Sequence, residues 1–125
     1  MLPPCSELEA AIALDREIPR ATFELRLEPI GEEAGGWVAD MICRDCGQRW
    51  WLERADGRAD SFAIKAPPDG PWNHALVRDA KINYLRRARG EDPATRCVWR
   101  DCQHHALKGS AHCAEHAYDI MGTRV

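Results

Sequence analysis

The chain has 125 residues, a formal net charge of −3 and a pI near 5.9, a size that suits one domain carrying a small appendage and leaves little room for a second full core. Charged residues make up 30% and hydrophobic residues 45%, which argues against a disordered or fibrous chain, and no run approaches the ~20 apolar residues of a membrane-spanning helix. The acidic balance also disfavours a dedicated nucleic-acid binder, which needs a basic field to displace counterions from phosphates.

The N-terminal MLPPCSELEAAIALDREIPR has no basic segment, and Glu7, Glu9, Asp15 and Arg16 interrupt its apolar positions. No secretory signal is therefore expected, and a cytoplasmic location is. Ser6 followed by Glu9 fits a capping box and predicts a helix over about residues 7–17. Pro19 ends it. Phe23, Leu25 and Leu27 then alternate with Glu24, Arg26 and Glu28, the period of two that marks a half-buried strand. Glycines 31, 35 and 36 mark a loop, after which WVADMI and RWWLER read as strands from their aromatic and branched residues, with CRDCG as the turn between them. Asp56-Gly57 is a favoured hairpin dipeptide, and SFAIKA returns beyond it. These elements predict a four-stranded antiparallel meander over residues 21–66.

Three prolines in APPDGPW break the pattern, and Asn73 is placed to cap a helix whose residues Leu76, Val77, Ala80, Tyr84 and Ala88 share one face. Gly90 is its expected C-terminal stop. The sheet must bury its apolar face, and the two helices are the available covers, so the expected fold class is α+β: residues 1–90 form the core and residues 91–125 a small C-terminal module stapled by zinc. EDPATR, residues 91–96, reads as a polar linker into that module.

In a reducing compartment, six cysteines point to metal rather than disulfides. Cys97-x4-Cys102-x10-Cys113-x2-His116 is complete as a tetrahedral zinc set, since ligands two to four residues apart let one turn present both to a single ion. Closing such a site contributes on the order of 10 kcal/mol in small peptides, enough to fold a segment with few bulky apolar residues. His104, His105 and His112 exceed the ligand count. Cys43-Arg-Asp-Cys46-Gly47 is a second metal-like turn, with Cys5 and His74, or ligands shared with the C-terminal set, as candidates to complete it. HCAEH, residues 112–116, matches the inverted zinc-peptidase pattern H-x-x-E-H. Cys113 competes for the ion inside that motif, and a four-ligand set leaves no open position for chemistry. No proline precedes either cysteine pair as in the zinc deaminases. With no nucleophile elbow or phosphate loop either, the chain is expected not to be an enzyme.

The C-x-x-C-G turn resembles the knuckle of a zinc ribbon. The C-terminal pattern resembles the C-x4-C…C-x2-H clips of assorted small bacterial zinc proteins, including the N-terminal clip of some phage-type HNH endonucleases, whose catalytic motif is missing here. In size and style the chain looks like the immunity proteins of polymorphic toxin systems, a resemblance that implies a protein partner, namely a toxin occluded by binding. Trp50, Trp51, Trp99 and Arg100 are the candidate anchors for such a partner, because exposed aromatic and arginine side chains dominate interfaces. The alternative is a zinc-containing nucleic-acid-binding regulator that uses Arg78, Lys81, Arg86, Arg87 and Arg89 on the basic helix.

Overall fold

A computed structural model describes residues 2–55 and 61–119. Asp56-Gly57, the expected hairpin turn, lies outside the described residues. The chain divides into two compact units, Met1–Val77 and Arg78–Val125, and is α+β throughout.

The first unit is built on a five-stranded antiparallel sheet, in the order β1-β5-β4-β3-β2: β1 Ala11–Ala13, β2 Leu27–Glu33, β3 Val38–Cys43, β4 Arg49–Glu53 and β5 Phe62–Lys65. The β2-to-β5 meander has the expected connectivity, and β1 adds a fifth strand on its edge. That strand replaces the helix expected over residues 7–17. Only one 3-10 turn, Cys5–Glu7, forms at the capping-box sequence, and no side chain caps it. The apolar run Ala11–Ala13 instead pairs Ile12 with Ala63 and Ala11 with Ile64, so long-range strand pairing overrides the local helix signal. A second correction falls at Phe23. Residues Arg20–Glu24 form a short helix, α1, and β2 starts only at Leu27. Phe23 and Leu27 are buried in either geometry, since they are four residues apart, but Leu25 separates the two readings: it is 80% exposed, as a helix requires and an alternating strand forbids.

Each sheet face has its own cover in this unit. Ile12, Leu52 and Ala63 share one face with Trp50, and Phe23, Leu14, Ile18 and Leu27 pack on it. The Phe23 ring meets the Trp50 ring edge-on at 5.0 Å. On the opposite face, Trp51 lies against Trp72 at 5.1 Å and beneath the Arg49 guanidinium at 5.4 Å. Arg49 forms a bidentate ion pair with Asp40, at 2.8 and 2.6 Å, and donates to the carbonyls of Pro67 and Gly70, which ties the proline-rich segment down onto the sheet.

The second unit contains most of helix α2, His74–Arg89, and the two-stranded ribbon of β6 Glu91–Arg96 and β7 His105–Leu107, followed by helix α3 Ala114–Asp119. The α2 N-cap is Asn73, whose side chain accepts the Leu76 N–H at 3.1 Å, and Gly90 closes the helix at φ +75°. Val77, Ala80 and Tyr84 are buried as expected, but Ala88 is exposed, and a second stripe, Ile82 and Leu85, packs against Leu107, Ala114 and Ala117. Residues 91–96, read as a linker, are a strand. Their polarity hid it because a narrow ribbon leaves most of their side chains in water, and Asp92 shapes the irregularity by accepting the Ala94 N–H and the Thr95 hydroxyl.

Candidate metal centres

Among the described residues two sulfur-rich clusters form, one in each unit. In the second unit, one ligand atom from each of Cys97, Cys102, Cys113 and His116 lies within 4.8 Å of all the others. Cys97 Sγ and Cys113 Sγ are each 3.3 Å from His116 Nδ1, and Cys102 Sγ is 3.9 Å from Cys113 Sγ. A tetrahedral ion bound at ordinary zinc distances would hold sulfur pairs about 3.8 Å apart and sulfur–nitrogen pairs about 3.6 Å apart, so the four residues fit such an ion with small adjustments. A disulfide would need about 2.05 Å.

Local chain geometry explains how twenty residues make this cluster. Cys97 ends the ribbon, where its N–H donates to the His104 carbonyl, while Val98 N–H donates to Ala111 and Cys102 N–H to Trp99. Asp101 at φ +59° completes the tight reversal. On the other side, Cys113 precedes α3, and its carbonyl accepts the Ala117 N–H, so His116 returns three residues later on the same helical face. Gly109, at φ +73°, takes the turn between the two halves.

The electrostatics divide the two buried thiols. Burial pushes the Cys97 thiol up, but the backbone N–H groups of Cys113 and Trp99, together with His116, outweigh it and lower the pKa to about 6. Burial raises Cys113 to about 11; the His116 N–H opposes this, and the neighbouring sulfurs of Cys102 and Cys97 add to it. Backbone donors aimed at sulfur are what a metal-binding knuckle needs, since they stabilise thiolate charge. His104 and His105 are exposed, and neither they nor the half-buried His112 belong to the cluster.

The first unit brings Cys43 and Cys46 to within 4.8 Å of each other and of Cys5. Cys43 ends β3, and the Gly47 N–H donates to its carbonyl at 2.9 Å with Gly47 at φ +79°, the left-handed step that tightens a C-x-x-C-G turn. Burial raises the Cys43 pKa, but N–H bonds from Cys46 and Asp45 prevail and lower it. Cys5 arrives from the 3-10 turn, is 2% exposed and is held by the core next to Trp50. Burial raises its pKa. The sequence offers no spacing rule linking Cys5 to a turn 38 residues later; its only signal is that it is a sixth thiol. His74, the other candidate, accepts the Trp72 indole N–H at 3.3 Å and does not join the cluster.

Among the remaining site candidates, Trp50 and Trp51 are corrected: both are 0% exposed and offer nothing to a partner. On a strand they point to opposite faces, and Phe23 and Trp72 cover them. Trp99 is 46% exposed beside Val98 at 65%, its ring set 5.3 Å from the His116 imidazole. Arg100 lies with both along a shallow cleft of about 440 Å³. The helix cations are largely engaged within their own unit: Lys81 is buried, Arg78 pairs with Asp119 at 2.8 Å, Arg86 approaches Glu115 at 3.8 Å and Arg87 lies over the Tyr84 ring. Among the described residues no helix is long and apolar enough to cross a membrane.

No protein-family model, curated protein or solved structure matches the chain.

Proposed function

We propose that this chain is a non-enzymatic zinc protein that binds another protein through the surface carried by its C-terminal knuckle. The observation that carries the proposal is the exposed Val98-Trp99 pair between two ligands of a closed Cys3His set. Borderline imidazole and soft thiolates in a tetrahedral array suit zinc. Four protein ligands leave no position for substrate, so the ion acts as a staple that fixes Trp99 and Arg100 for contact at little further entropic cost. Six free thiols suit a reducing cytoplasm. Occlusion of a toxin is one form such binding takes; its support is the size and style of the chain.

Trp99→Ala and Arg100→Ala test it. Each is expected to weaken a stoichiometric protein complex tenfold or more, as loss of an interface anchor does, while zinc content by elemental analysis is unchanged. Full binding by both variants would overturn the proposal. Of the helix cations the nucleic-acid reading keeps Arg89, joined by the exposed Arg96 and Arg100. A mobility shift at low salt, lost in Arg89→Ala/Arg96→Ala and steeply salt-dependent, would establish it in place of protein binding, and no shift at low salt would remove it.

A further inference from the structure

We propose that Cys5, Cys43 and Cys46 form a three-thiolate metal site with an open fourth position, which takes a small external thiol as its ligand. The inference rests on the metal-binding reading of the Cys/His clusters and extends it.

The cluster of the second unit has four donors, whereas among the described residues no fourth Cys, His, Asp or Glu joins these three sulfurs. Three protein ligands plus one free position is the arrangement that distinguishes a reactive or exchangeable zinc from a structural one.

The free position has somewhere to face. Cys5 and Cys43 are buried at 2% and 4%, but Cys46 is exposed. Cys5 and Cys46 line a cleft of about 440 Å³ whose walls include Pro4, Ser6 and Gln48. The cluster therefore has a protein side, made of core residues, and a solvent side, through which a ligand of a few heavy atoms can approach.

Partners for negatively charged sulfur also stand beside the cluster. Arg26 Nη1 stands 3.9 Å from Cys5 Sγ, and the backbone N–H groups of Asp45 and Cys46 serve Cys43. Burial raises the Cys5 pKa, and the buried Trp50 indole N–H and Arg26 oppose that rise. A divalent ion with three thiolates carries one net negative charge, which Arg26 offsets. A soft donor set of this kind prefers a further soft ligand to water. In the exchange, the metal–water bond breaks and a metal–sulfur bond forms. The incoming thiol gives its proton to solvent, and nothing is oxidised or reduced.

Cadmium-113 replaces zinc at thiolate sites and reports each one as a separate resonance. The full chain loaded with two equivalents is expected to show two resonances, one of which is absent in Cys46→Ser. Titration with N-acetylcysteine is expected to shift that resonance and leave the other in place. Two resonances that both stay fixed would mean that the protein completes both coordination shells; the open position would be wrong and the metal reading intact. A single resonance that persists in Cys46→Ser would mean that Cys5, Cys43 and Cys46 hold no metal, which removes the premise itself.

Discussion

At the scale of single residues, the least legible feature is the Asp40–Arg49 pair. In sequence, Asp40 is a polar interruption in an otherwise apolar strand, and Arg49 reads as a strand-end charge. In the structure, Asp40 sits across from Trp51 on the neighbouring strand, and the two charged side chains are about 90% buried, joined by two hydrogen bonds with Glu33 3.5 Å away. Their pairing depends on strand register, which local patterns do not encode. The hydrogen bond to Asp40 is the main reason the Arg49 pKa is raised. Removing one member of such a pair strands the other charge in a poorly hydrated setting, at a cost of about 3–5 kcal/mol. Because Glu33 and two backbone carbonyls still face Arg49, Asp40→Ala is expected near the lower end, about 3 kcal/mol, by chemical denaturation. A loss below about 1 kcal/mol would mean that the pair acts as an exposed one.

Elements whose local signals agree with their long-range pairing are legible in the sequence, and those that distant partners impose against or without such a signal are not. The knuckle of β3, the turn and β4 follows from C-x-x-C-G between two aromatic-rich runs; α2 follows from Asn73 and Gly90. In contrast, β1 exists because β5 offers it an edge, and β6 because β7 pairs with it, so neither carries a pattern of its own. Phe23 and Leu27 satisfied both periods, and only Leu25, whose exposure the sequence does not state, could decide between them. The same distinction governs stability. The 97–119 segment buries a handful of small residues around Leu107, Ala114 and Ala117, too little apolar surface to offset the entropy of ordering its loops. Chelation is therefore expected to abolish amide-exchange protection in β7 and α3, while the centres of β3 and β4, paired on both sides, keep theirs. Unchanged protection in β7 and α3 after zinc removal would refute the staple.

For the whole molecule, each compact unit has its own cluster of sulfur ligands and its own core, so metal loss in one unit should be separable from folding of the other. The tryptophans allow this to be observed. Trp37, Trp50, Trp51 and Trp72 belong to the first unit and only Trp99 to the second; Trp50 and Trp51 are fully buried and in ring contact with Phe23 and Trp72, which makes them the dominant source of near-ultraviolet circular dichroism. Cys113 lies at the centre of the C-terminal cluster at 1% exposure, within reach of both His116 and Cys102. At the proposed zinc site, serine in its place would remove a ligand and leave a hydroxyl too hard to replace the thiolate on zinc. Cys113→Ser should thus lose one zinc per chain and the α3 helical signal, yet keep most of the near-ultraviolet spectrum and the denaturant transition that Trp50 and Trp51 report. If that transition collapsed together with the C-terminal signal, the two units would fold as one cooperative body, and the metal at residues 97–116 would be a condition for the sheet rather than a local clip.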